Sequence, residues 1–354
     1  MTTSKPTVAI IGAGIFGLCA GLELAERGAH VRIYEARGVG AGASGGLIGA
    51  LSPHTPEKWN PKKAFQLRAL LGADAYWAKI AAGSGLPVGY GRIGRVLPLA
   101  SDAARALAHD RVAAADTLWQ GRARWRIVEA VSGLAPNPHG FVHETLTARI
   151  FPQQAMAALA RAAMGQGVEI LENHPIADPQ DLAADHVILA AGHHSFDLCP
   201  GLPAEFGRGV KGQSALLAAD LDDMPAVLAG GLYVVPHGAL GAAIGSTSEK
   251  TWDDPDRTDE RLEALVAQAR ALVPALGSAR VAARWAGIRP RARLPDPVLG
   301  QIPGADRLWL FSGGFKIGLG LAPLLAQALA DLILTGDADL PESFTLAAQF
   351  SRGQ

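Results

Sequence analysis

Two short apolar runs, Val8 to Ile11 and Val31 to Tyr34, flank a stretch where Leu18, Leu22 and Leu24 to Ala25 recur on one helical side and Gly28 closes the turn. This pattern predicts strand, helix, strand. Further on, Phe65, Leu67, Leu70, Leu71, Tyr76, Trp77 and Ile80 mark a helix over 63–80, ended by Gly83-Ser84-Gly85. An Ala-rich helix follows at 101–120, and another over 152–164 has proline at an early position, which helices tolerate. Residues 167–171 and 185–192 read as strands, and Gly89 to Leu97 reads as a short strand pair.

From Phe206 the texture changes to alternation. Strands are expected at 210–217 and 232–236, with 240–247 completing a hairpin. An amphipathic helix at 262–272 has an acidic start (Asp254, Asp256, Asp259, Glu260), as a helix N-terminus prefers. A last strand, Arg307 to Phe311, leads through a glycine-rich turn into a helix reaching Leu334.

Composition narrows the class only slightly. With 354 residues, two domains or one plus a large insertion are expected, and 49% hydrophobic residues suffice for a full core. Thirty-two basic against 33 acidic residues predict neither nucleic-acid affinity nor an acidic tail. Cys19 and Cys199 match no metal or redox spacing, which fits a reducing, cytoplasmic location. No run is read as a membrane span.

The chemistry-bearing stretch is Gly12-Ala13-Gly14-Ile15-Phe16-Gly17, set between the first strand and helix. Gly12 permits the tight turn, Gly14 lets backbone approach a pyrophosphate, and Gly17 lets helix and strand pack closely. The helix N-terminus offers free N–H groups and a positive dipole end to phosphate. Glu35 ends the second strand, 18 residues after Gly17, where a carboxylate accepts from ribose hydroxyls and would repel a 2′-phosphate. This favours FAD or NAD over NADP. His54 reads as a loop histidine. His193 and His194 read as structural or near-cofactor residues, since neighbours on a strand face opposite ways and cannot share a metal.

Gly12 to Gly17, Glu35-Ala36-Arg37, and Ala43-Ser44-Gly45-Gly46-Leu47-Ile48 followed by Gly49 resemble the D-amino-acid oxidase and glycine oxidase family of flavoproteins. Three later stretches extend the resemblance: apolar residues ending in Ala190-Ala191-Gly192, then Trp285-Ala286-Gly287-Ile288-Arg289-Pro290, then Gly313-Gly314-Phe315-Lys316-Ile317-Gly318. The resemblance implies an α/β fold, a doubly wound (Rossmann-like) FAD-binding domain built from 1–80, 145–205 and 300–354. A β-rich substrate domain, 81–144 and 206–299, is inserted.

It also implies FAD, held non-covalently because no cysteine lies beside the Arg289 motif, with Ile176 among its contacts. Arg289 would grip a substrate carboxylate, with help from Tyr233, and the helix after Gly318 would stabilise negative charge on the reduced flavin. Three departures stand out. Leu294 replaces an aspartate five residues after Arg289, Gly314 replaces a histidine, and Lys316 replaces an arginine, where it faces the substrate, holds the flavin or is simply solvated.

The implied reaction is oxidation of the C–N bond of a small amino acid or N-substituted glycine. Hydride passes to flavin, oxygen or another acceptor takes the electrons, and the imine hydrolyses. An alternative comes from Ala43 to Pro53, which is similar to a stretch in the oxidase domain of a tRNA wobble-uridine modification enzyme acting on a carboxymethylamino group. Near-neutral charge with no basic run argues against tRNA, although a local patch stays open.

Overall fold

The computed structural model describes residues 5–203, 205–221 and 224–351. In chain order the elements are β1 (Thr7–Ile11), α1 (Ile15–Glu26), β2 (His30–Tyr34), β3 (Ala50–Leu51), α2 (Pro61–Ser84), β4 (Gly91–Arg92), β5 (Arg95–Pro98), α3 (Asp102–Leu118), β6 (Trp125–Val128), β7 (Phe141–Glu144), β8 (Ala148–Arg149), α4 (Pro152–Gly165) and β9 (Glu169–Leu171). After these come β10 (His186–Leu189), α5 (Ser195–Leu198), β11 (Gly207–Leu217), β12 (Ala226–Ala229), β13 (Leu232–Pro236), β14 (Ala242–Gly245), α6 (Glu260–Leu272), β15 (Val281–Ala292), β16 (Val298–Ile302), β17 (Ala305–Ser312), α7 (Gly318–Thr335) and α8 (Leu346–Ser351).

A six-stranded sheet runs β16-β17-β10-β1-β2-β9, parallel except for the β16–β17 edge. Its central strand β1 is apolar on both faces because both are covered, whereas β2 and β9, toward one edge, expose Arg32 and Glu169. Val8 and Ile10 of β1 join the core of α1, α4 and α7, while Ala9 and Ile11 point to the opposite core, which holds Phe196, Phe206 and Leu346. This two-residue alternation explains why the short run Val8 to Ile11 carries no polar position.

The second layer is an eight-stranded sheet, β15-β11-β14-β13-β12-β5-β7-β6, antiparallel except at β12–β5. Here α6 covers one face through Leu262, Val266 and Ala269. Asp259 caps α6, accepting from Arg261 N–H, so the acidic start does act as a helix cap.

One expectation needs correction. Gly89 to Leu97 contains two strands, but they do not pair with each other. β4 joins the small sheet β3-β8-β4, whereas β5 enters the eight-stranded sheet beside β7 and β12. Gly94, between them, has φ +70°, and an added Cβ would sit 2.7 Å from the Glu144 carbonyl oxygen. The chain turns sharply there and diverges.

The apolar helix α7 is long enough to cross a bilayer, with mean hydropathy 1.6. It packs instead against α1 and α2, burying Leu321, Leu325 and Leu329.

Candidate active site

A cavity of about 1360 Å³ lies between the C-terminal ends of the parallel strands and one face of the eight-stranded sheet. That exceeds the roughly 300–1,000 Å³ typical of drug-sized ligands. Two helices open on it without a side-chain cap from their own N-cap residue: α1, from Gly14, and α7, from Ile317. Each presents unpaired backbone N–H groups and a positive dipole end to the same space.

The α1 end is shaped by its glycines. Gly12 has φ +109°, and an added Cβ would meet the Ala190 carbonyl oxygen at 2.5 Å, so the turn sits directly against the end of β10. Glu35 accepts from Ala13 N–H (2.8 Å) and Arg37 N–H (2.9 Å), so the carboxylate ties the turn to β2 while lining the cavity. Ser44 Oγ accepts from Ile15 N–H (2.9 Å), capping α1 from a neighbouring segment. Ser44 itself sits in the middle of a short helical turn over Ala43–Gly45.

Most of the expected cofactor residues meet at this cavity: Gly12, Gly14, Ile15, Phe16, Glu35, Ala36, Arg37, Ala43, Ser44, Gly46, Leu47, Ile48, Ile176, Ala190, Ala191 and Gly192 on one side, and Arg289, Gly314, Phe315, Lys316, Ile317 and Gly318 on the other. Four do not reach its surface. Ala13 is fully buried, Gly17 backs onto the Gly12 carbonyl, Gly45 backs onto the Gly40 carbonyl, and Gly313 turns the chain at φ +78°. These four shape the wall.

Gly314 stands where the resemblance expects histidine, and its surroundings explain this. A Cβ there would lie 2.8 Å from the Phe16 ring, which stacks on Phe311 with centroids 4.3 Å apart. Phe16 already fills the space. His193 and His194 also line the cavity, with rings 3.9 Å apart, and burial followed by the neighbouring His194 pushes His193 down to about 4.

At the opposite end, Arg289 on β15 is half-buried. Its guanidinium donates to Ser246 Oγ (2.9 Å), the Thr247 carbonyl (2.7 Å) and the Lys211 carbonyl (3.2 Å), and lies over the Phe315 ring. Among the described residues no carboxylate comes within 4 Å of it. Burial, only partly offset by Glu249, pushes it down to about 10, so it is still a cation at neutral pH. Lys316 stands at the rim with much of its side chain exposed, and partial desolvation of its ammonium against the wall, then Arg289, lowers it. Tyr233 projects from β13, and its hydroxyl accepts from Arg95 Nη1 at 3.0 Å.

Arg95 is the residue the sequence concealed. It is buried, and its Nε lies 3.1 Å from Glu144 Oε1, close enough for ion pairing though not aligned for a hydrogen bond. Its other arm donates to the Pro53 carbonyl. Nothing in a four-residue strand announces such a pair, because Glu144 and Tyr233 are 49 and 138 positions away. Trp285, quoted in the motif without a role, lies against Gly46 and closes the sheet onto that loop.

The family model described as FAD dependent oxidoreductase (DAO) matches residues 7–332. The chain belongs to this family. It is 31% identical to a glycine oxidase of Pseudomonas putida, over 93% of this chain and 94% of that one. It superposes on the crystal structure of glycine oxidase from Geobacillus kaustophilus with a TM-score of 0.86 at 25% identity, covering 97% of this chain and 99% of that one. It is also 30% identical to the tRNA 5-methylaminomethyl-2-thiouridine biosynthesis bifunctional protein of Thiobacillus denitrificans, spanning 98% of this chain but 58% of that protein. The oxidoreductase uses FAD, and two helix N-termini facing one long cavity suit a ligand carrying a diphosphate at one end and a ring system at the other. Neither cysteine lines the cavity, and burial pushes both thiols up to about 12.

Proposed function

We propose that this enzyme oxidises the C–N bond of a small amino acid or N-substituted glycine. The observation that carries the reading is Arg289: a cation on the cavity wall, cradled by carbonyl and hydroxyl oxygens with no carboxylate of its own among the described residues. A half-buried guanidinium without a counter-ion favours an anionic ligand, and a carboxylate matches its planar donors. Three of its N–H groups are committed to the cradle, so the side chain is pre-positioned before substrate arrives.

Tyr233 would share the carboxylate. Its oxygen accepts from Arg95, which leaves the phenolic proton to donate. Glu35 and the α1 N-terminus would hold the ribose and diphosphate of FAD, the remaining wall residues its rings, and the cofactor would be non-covalent. FAD, when bound, accepts the hydride leaving the carbon beside the amine. The chain's own contribution is to orient the substrate, keep water out under Trp285 and the eight-stranded sheet, and hold positive potential at the α7 N-terminus. We place the enzyme in the cytoplasm, on the strength of its two buried, unpaired cysteines.

The test is anaerobic bleaching of the flavin band by a panel of amino acids and N-substituted glycines. Bleaching by at least one carboxylate amine is expected. Bleaching by none of them, but by a tRNA bearing a carboxymethylaminomethyl uridine, would move the function to the tRNA-modifying reading.

A further inference from the structure

The loop after β3 carries His54, which lines the same cavity as Arg289 and to which the resemblance assigns no role. Two elements pin this loop. From β5, Arg95 donates to the Pro53 carbonyl at 3.3 Å. From α2, buried Gln66 donates its amide to the Ser52 carbonyl at 3.2 Å, and its Oε1 accepts from His54 N–H at 2.8 Å and faces His54 Nδ1. His54 and Gln66 both line the cavity.

These contacts decide where the imidazole proton sits. The backbone N–H of His54 is an obligatory donor, so the Gln66 atom beside it must be the carbonyl oxygen. The same oxygen faces Nδ1, which must therefore carry a proton. Neutral His54 is then the Nδ1–H tautomer, and Nε2 keeps a free lone pair. No described residue occupies that nitrogen.

A chain of contacts along the cavity wall links the His54 loop to the carboxylate-binding groups. Arg289 holds Ser246. Ser246 follows Gly245, which pairs with Tyr233 across β13 and β14. Tyr233 meets Arg95, and Arg95 holds the peptide next to His54. The charged groups around His54 are Lys62 and Lys63 of α2, Asp296 before β16 (itself paired with Lys62), and Arg95 of β5; Arg289 and Lys316 share the cavity.

We propose that His54 is the proton acceptor for the substrate amine. Its Nε2 takes a proton from the substrate ammonium, an N–H bond breaking and an H–Nε2 bond forming. The freed nitrogen lone pair would become the C=N bond as the α-hydrogen leaves with its bonding electrons, which FAD would accept. The imidazolium then returns its proton to solvent.

The electrostatics agree. Burial lowers His54, opposed by its bond to Gln66, with Lys62 and Lys63 adding to the lowering and Asp296 working against it. The proposal rests on the amino-acid reading of the cavity.

The test compares wild type, His54→Asn and Gln66→Glu as holoenzymes. Asn keeps a donor toward Gln66 but offers no basic nitrogen, while Glu places a negative charge beside Nδ1. In anaerobic reduction by a substrate found in the panel, His54→Asn should lower kcat/KM about a hundredfold at neutral pH. The loss should shrink as pH rises and the free substrate deprotonates unaided. Acetate, a carboxylate without an amine, should bind the variant as it binds wild type. Gln66→Glu should move the acid limb of the wild-type profile upward.

A second readout is independent of turnover. Nitrogen-15 NMR of His54, assigned by its loss in His54→Asn, should show Nδ1 protonated and Nε2 bare at pH 7. A variant defect of the same size at every pH would overturn the proposal, as would a proton on Nε2. A panel that bleaches nothing would overturn the amino-acid reading and this proposal together, whereas bleaching with unchanged His54→Asn kinetics would overturn this proposal alone.

Discussion

Replacing Arg289 with Ala removes the guanidinium from the cavity wall. Two unit charges 4 Å apart at an effective dielectric of about 20 attract by about 4 kcal/mol, and a hydrogen bond to a charged group contributes about 1.5–3 kcal/mol. Arg289 is half-buried, so water in the emptied space recovers part of this, leaving a net loss of about 2–4 kcal/mol. At 1.4 kcal/mol per decade, substrate should bind roughly thirty- to a thousand-fold more weakly. Ser246 lines the cavity, the Lys211 carbonyl keeps the Glu249 N–H, and water entering the emptied space replaces the remaining donors. The fold should therefore survive, which thermal unfolding checks. The assay is stopped-flow anaerobic reduction, which separates substrate Kd from the limiting reduction rate. Kd should carry most of the loss for carboxylate amines and little for the matching amine without a carboxylate. Arg289→Lys should restore only part, since a point charge cannot reproduce the planar fork. Equal losses for both amines would refute the role assigned to Arg289.

Three further outcomes follow from the same geometry. Gly212→Ala sets a Cβ 2.8 Å from Arg289 Cζ, so the guanidinium must shift, and carboxylate KM should rise about tenfold with the flavin spectrum unchanged. His237, buried and donating to the Leu47 carbonyl, is lowered from 6.5 to about 4 by burial. Between those pH values the unfolded state binds a proton that the folded state refuses, so stability falls as pH drops through this window, by about 3 kcal/mol in all. Urea unfolding of His237→Gln should show a shallower slope there, and an identical slope would contradict this. Acid precipitation should release all FAD into the supernatant; yellow colour retained in the pellet would disprove non-covalent binding.

The first βαβ unit was legible because its signals are local: glycines, helix spacing and Glu35 all lie within 24 residues, from Gly12 to Glu35. The same holds for β17 and α7, where the glycine-rich turn adjoins its helix. Arg289 was legible through its motif, but its cradle was not, since Ser246 and Lys211 come from other strands. Likewise, the fate of β4 and β5 depends on pairing with residues 43 or more positions ahead, beyond any periodicity. Gly314 read as a departure from relatives until Phe16 was seen to fill its space. His54 read as a loop residue because only the fold brings Gln66 and Arg95 to either side of it.

The central claim is that hydride leaves the carbon beside an amine held by its carboxylate. The most direct measurement is a single anaerobic turnover with the best substrate of the panel, protiated or deuterated at the α-carbon, followed by product analysis. The account predicts a primary isotope effect on flavin bleaching and one carbonyl product per flavin reduced. Bleaching indifferent to deuterium, or without a carbonyl product, would contradict it.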